Sequence, residues 1–175
     1  MSFTAAKTQL KAALQAITWT IPASATGILN PVLRTSYGRV DTQQFVGEEA
    51  AIATDVMPYV RMWIPGLDEK RITSGGDAGS YKEQRFPAHL FIYQAGLAKD
   101  WQGLADYFDA VVDATLAYFR NNSAPQGQGQ VTPGANDQVR GWGLHQNARV
   151  ELAKQSGGAA LCTATLDVDV IMVIV

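Results

Sequence analysis

Cysteine is almost missing from this chain: Cys162 stands alone, so no intrachain disulfide can form and a small disulfide-stapled fold is excluded. Histidine is nearly as scarce. His89 and His145 are the whole complement, and a nucleophile with its base would need one of them to meet Cys162 through tertiary coincidence. Positive charge is in short supply too. A formal net charge of −2 and a pI near 5.6 argue against a protein whose main task is to grip nucleic acid by its phosphates. No apolar run is long enough to span a bilayer, and Met1 to Lys7 lacks the charged-then-apolar order of an export signal. The expectation is a soluble protein made in the cytoplasm, with no membrane partner. Gly75-Gly76-Asp77-Ala78-Gly79 is glycine-rich, but no Gly-Lys-Ser/Thr follows it, so it reads as a loop and not as a phosphate cradle.

What is present suits one globular domain: 175 residues, 47% of them hydrophobic, fill one sizeable core and would be cramped as two. Phe86, Ala88, Leu90 and Ile92 alternate with Arg85, His89 and Tyr93, the pattern of a half-buried strand. Ala95-Gly96 is expected to end it. Asp100 is placed to cap a long helix in which Leu104, Phe108, Val111, Val112, Thr115 and Phe119 recur at helical spacing, opposite Asp106, Asp109 and Asp113.

An earlier helix is expected behind a Ser2 cap, with Phe3, Ala6, Leu10, Ala13, Leu14 and Ile17 as its apolar stripe and Lys7 and Lys11 one turn apart outside it. Pro22 and the residues to Gly27 end it. Val32 to Arg39 reads as a strand interrupted by Gly38. Val56 to Ile64 alternates with prolines near its ends, which suggests an edge or a bulge. Residues 66–84 and 122–138 are polar and poor in apolar side chains, and read as flexible loops. A closing hairpin is expected from Trp142 to Leu152, through Ser156-Gly157-Gly158, and back along Leu166 to Ile174. The predicted class is therefore α+β: a mixed or antiparallel sheet flanked by an N-terminal helix and one long central helix.

Candidate chemistry is sparse. Asp106, Asp109 and Asp113 have the spacing to face a cation, but without a ligand loop they read as a solvated helix face. Asp167 and Asp169 fit the solvent side of a strand. No cofactor or metal is expected, and the pattern points away from an enzyme. Ile171 to Val175 is apolar on both faces, so Ile171, Val173 and Val175 are expected to lie between this chain and another, or under a helix. Arg71 and Tyr81 in the first loop, Gln128 in the second and Trp142 just beyond it are candidates for partner contact.

The order of parts carries a resemblance. An N-terminal helix, the strand Met57-Pro58-Tyr59-Val60-Arg61-Met62-Trp63-Ile64, a polar loop, Arg85 to Tyr93 leading into Trp101 to Asn121, and the closing Ala164 to Ile171 resemble the tail terminator (tail completion) proteins of long-tailed bacteriophages. The likeness rests on element order and length, not on a signature motif. It implies a structural virion subunit, assembled in the host cytoplasm, that forms a homo-oligomeric ring, a hexamer in that family. The ring would cap the tail tube protein and dock the neck or head-completion protein, while DNA passes through the hole without sequence-specific binding. It implies no catalytic residues and no cofactor. In such a ring the Lys7/Lys11 face is a candidate to meet the Asp106/Asp109/Asp113 face. Another neck or head-to-tail connector subunit is the alternative, and a small-ligand or enzymatic domain with a cleft near His89 and Asp167 is a rival of a different class.

Overall fold

The alternation that begins at Arg85 runs much further than the apolar pattern alone suggests. In the computed structural model, which describes residues 3–25, 33–42, 57–71, 82–122, 139–144, 149–154 and 158–174, it belongs to a 16-residue strand, β4 (Lys82–Leu97). Its antiparallel partner is the equally long β7 (Ala159–Ile174), paired residue for residue from Lys82↔Ile174 to Leu97↔Ala159. At about 3.4 Å per residue, this ribbon is roughly 54 Å long, well beyond an ordinary strand. Gly158, in the left-handed region at φ 81°, leads into β7 in a backbone conformation that other residues rarely adopt.

Broken strands flank the ribbon on both sides. β2 (Tyr59–Trp63) and β3 (Asp68–Arg71) both pair antiparallel with β4. β5 (Val139–Leu144) and β6 (Arg149–Lys154) both pair antiparallel with β7. A short β1 (Arg39–Asp41) adds parallel to β2, so the seven-stranded sheet is mixed.

Two helices lie on one face of this sheet. α1 (Phe3–Ala16) buries Ala6, Leu10, Ala13 and Leu14, and Phe3 meets Phe86 of β4 edge-to-face at 5.4 Å. α2 (Trp101–Asn121) buries Leu104, Phe108, Val111, Val112 and Phe119. Phe119 packs edge-on against Trp142 at 5.3 Å. The even-numbered residues of the ribbon complete the core: Phe86, Leu90, Ile92, Leu166, Val168 and Val170 are fully buried, each contributing about 1.5–3 kcal/mol by leaving water. The fold is thus α+β, with an N-terminal helix and a long central one, as the periodicity predicts.

Several local expectations need correction. Ala95-Gly96 does not end its strand, because both residues stay paired with Leu161 and Ala160. Asp100 precedes α2 but makes no capping hydrogen bond with its side chain; a short 3-10 turn, Ala98–Asp100, leads into the helix instead. Part of the expected loop 66–84 is sheet, since Asp68–Arg71 pairs with Lys82 to Arg85; residues 72–81 and 123–138 lie outside the described residues. β2 is not an edge along Tyr59 to Arg61, where β1 covers it. Trp142 to Leu152 is two strands, and the pairing shifts by two residues between Leu144↔Val168 and Arg149↔Thr165. That even shift keeps the same parity on each face of the sheet.

Within 33–38 only an isolated bridge, Thr18↔Ser36, replaces the expected strand, and Arg39 begins β1. Polar groups of α2 hold this segment in place. The Tyr107 hydroxyl donates to the Arg34 carbonyl at 2.8 Å and accepts from the Arg34 amide at 3.0 Å. The Trp19 indole N–H donates to the same carbonyl at 2.7 Å. Thr115 Oγ1 donates to the Val111 carbonyl, so the Tyr37 hydroxyl, 2.6 Å away, is the donor to Thr115. Burial pushes the Tyr37 phenol up from its ordinary pKa, against the pull of that bond.

Candidate functional site

Because both helices cover the even-numbered face of the ribbon, the chemistry-bearing side chains gather on the odd-numbered face. Strand register sets them in rows. Trp63, His89 and Asp167 are successive neighbours across β2, β4 and β7. His89 Nδ1 lies 2.6 Å from Asp167 Oδ1, with both side chains about a third exposed, at 34% and 27%. The Trp63 indole stacks on the imidazole, centroids 5.3 Å apart. A carboxylate on Nδ1 favours the tautomer that leaves Nε2 as the second ring position, the arrangement used to orient a base or a ligand. The indole N–H of Trp63 is shielded and has no hydrogen-bond partner among the described residues.

A second cluster sits where β1 joins β2. The Tyr59 hydroxyl accepts from Arg61 Nε at 3.0 Å and donates to Asp41 Oδ2 at 3.3 Å, while Arg39 Nη2 donates to the same carboxylate oxygen at 3.0 Å. Both guanidiniums lie within 6 Å of the Tyr59 ring centroid, at 5.8 and 5.7 Å, and Tyr93 stacks beside it. The hydrogen bond that Arg61 donates to the Tyr59 hydroxyl is the main reason that its guanidinium holds its proton more firmly than usual.

A third group surrounds Arg85. Its Nε donates to Glu83 at 2.7 Å, and Asp169 lies 4.0 Å from its Nη1. Asp169 is largely buried, and Gly143 of β5 sits against it so closely that an added Cβ would lie 3.1 Å from the Asp169 Cβ.

The residues singled out by sequence divide between the two sides. Asp109 and Asp113 are exposed on the outer face of α2, with Asp106 beside them partly covered. Gln102 donates to Asp106 at 2.7 Å. A hydrogen bond with Ser24 first, and with Gln102 second, holds the Asp106 carboxyl below the usual range. Asp109 moves the other way, raised mainly by partial burial and then by Asp113 and Asp106. Lys11 is exposed on α1 and Lys7 partly covered. Among the described residues no His, Cys, Asp or Glu side chains gather in a metal-holding group.

Other placements change the expectation. Trp142 lies in β5, within the hairpin expected from it, and is only 7% exposed and packed on Phe119, as part of the core. Arg71 likewise ends a strand, opposite Lys82. Ile171 is 4% exposed within the single chain, in a strand paired on both edges, with β4 and β5. Val173 pairs with Glu83 in the ribbon. Tyr81, Gln128, Val175 and His145 lie outside the described residues.

Sequence reasoning missed Arg39, Asp41, Glu83 and the Tyr59–Arg61 contact as a group. Parity within β2 puts Tyr59, Arg61 and Trp63 together, but only the register with β1 and β4 shows what they touch. Among the described residues no helix is long and apolar enough to cross a membrane. The sequence matches no protein-family model and shows no significant similarity to a curated protein.

Proposed function

We propose that the chain is a structural, non-enzymatic virion subunit: a tail terminator that forms a homo-oligomeric ring, a hexamer in the family it resembles, at the head-proximal end of a tail tube. The observation that carries this reading is the one-sided architecture. Both helices pack on one face of a single sheet, and no described helix lies over the other. Such a body presents two dissimilar faces on opposite sides, as a disc that meets different partners above and below would. In support of the reading, β2, β4, α2 and β7 follow one another in the order on which the resemblance rests, with β3 inserted between β2 and β4.

The mechanism is geometric. The ring occupies the surface that the next tail tube subunit would use and so stops growth, while its other side receives the neck or head-completion protein. DNA passes through without sequence-specific contact. A neighbouring neck or connector subunit would share this logic and differ in which end it binds.

Electron micrographs of the purified protein, alone and with tail tubes, test the reading. Rings capping one tube end are expected, and a protein that stays monomeric and never joins tubes would sink it. The 2.6 Å His89–Asp167 pair favours one second reading, a small-ligand or enzymatic domain with His89 as base. Its hydrogen-bond partner is Asp167. A measurable activity lost in His89→Ala but retained by a surface control would establish that reading over the first.

A further inference from the structure

We infer that self-association joins α1 of one copy to the outer face of α2 of another, with Lys7 and Lys11 set against Asp109 and Asp113. This contact rests on the ring reading and specifies which surfaces meet. Two independent stripes on the helical layer carry the argument. α1 has two lysines and no carboxylate anywhere along Phe3–Ala16. α2 turns Asp109 and Asp113 to solvent, and among the described residues neither takes part in an ion pair or a hydrogen bond. The lysines have no ion-pair partner there either.

The two stripes also match in pitch. Lys7 and Lys11 are four residues apart on one helix, and Asp109 and Asp113 are four apart on the other, so each pair is separated by about 6 Å along its axis. Two helices laid side by side can therefore form both ion pairs at once. Asp106 is already engaged by Gln102, which leaves Asp109 and Asp113 as the pair to be neutralised. Their mutual repulsion in the lone chain is relieved when a cation docks, because opposite charge lowers the cost of keeping both ionised. α1 packs near β1 and β7, and α2 near β5, β4 and β7, so the two stripes lie on different helices of one layer. One copy therefore carries both stripes and can offer them to different neighbours.

Charge reversal tests the assignment, read by sedimentation velocity over a concentration series at low salt. Lys7→Glu with Lys11→Glu, and separately Asp109→Lys with Asp113→Lys, are each expected to weaken self-association by about tenfold or more. An equimolar mixture of the two variants is expected to assemble again, since each then offers the stripe the other lacks. Helical circular dichroism and melting confirm folding. If a double variant does not fold, Lys11→Gln and Asp113→Asn carry the test with a smaller expected loss. Assembly indifferent to every substitution would overturn this inference and leave the ring reading standing, and so would two weakened variants that fail to rescue each other. A wild-type chain that never associates would overturn both.

Discussion

The two faces of the β4–β7 ribbon come from the same two strands and the same alternation, yet they are built on different physics. On the helix side Phe86, Ala88, Leu90 and Ile92 meet Leu166, Val168 and Val170 with almost no exposed surface. Stability there comes from apolar burial, which is not directional and falls off only when volume is lost. On the other side Arg85, His89, Asp167 and Asp169 interact through distances and angles, in rows fixed by register. Contacts of that kind in partly solvated positions add little to stability, so a polar face so organised is better suited to specifying what touches it. One face is closed by apolar packing; on the other, Tyr59, Asp169 and Ile171 are buried while Arg85, His89 and Asp167 reach solvent.

The largest effect that would test this contrast is on the covered side. Phe86→Ala is expected to cost about 3–5 kcal/mol of unfolding free energy, because the ring is fully buried and its neighbours cannot collapse into the space. Denaturant titration measures it, and a loss near 1 kcal/mol would show that the face is loosely packed.

Cys162 gives a second measure of the same face. Burial, with a lesser contribution from Asp109, pushes its thiol up to about 12 from the ordinary 9.0, so near neutral pH the folded chain holds about a thousandfold less thiolate than a free cysteine. Alkylation is expected to be correspondingly slow in the native protein and fast after unfolding. Rapid labelling of the folded chain would mean that water reaches β7 beneath α2.

The open face should respond far less. His89→Ala removes a half-exposed stack and a hydrogen bond, and is expected to cost under about 1 kcal/mol. A loss comparable with Phe86→Ala would show that this face is as much a core as the other.

The smallest effect is on the outer helix face and has the opposite sign. Asp113→Asn is expected to stabilise the chain by about 0.2–0.5 kcal/mol near neutral pH, because it removes a like charge one turn from Asp109. Asp109 has a folded pKa raised above its unfolded one. Its contribution therefore favours the fold at low pH and is lost as pH rises through the raised value. The gain from Asp113→Asn should accordingly vanish below the carboxylate range and shrink with salt.

Both helices were legible from periodicity, and the bounds of α2 agree with those expected from Trp101 to Asn121. The full length of the ribbon was not. Gln84 and Gln94 occupy core parity at the two ends of the readable run, and a glutamine there looks like the end of a strand. Gln84 instead donates to Glu69 and Gln94 to the Ala95 carbonyl, so each amide nitrogen is bonded, while both amide oxygens are buried without a partner among the described residues. The candidate site was less legible still, since His89 and Asp167 are 78 residues apart and no local pattern joins them.

Composition and spacing by themselves determined that this chain makes amphipathic helices and alternating strands, because side-chain direction along a helix or strand follows from local backbone geometry. Which strands became neighbours, and hence that Trp63 stacks on His89, that Arg61 bonds Tyr59, and that Ile171 is buried within the single chain, was decided only in three dimensions. Register is a property of paired segments far apart in sequence, and it is set by how all of them bury a common face at once.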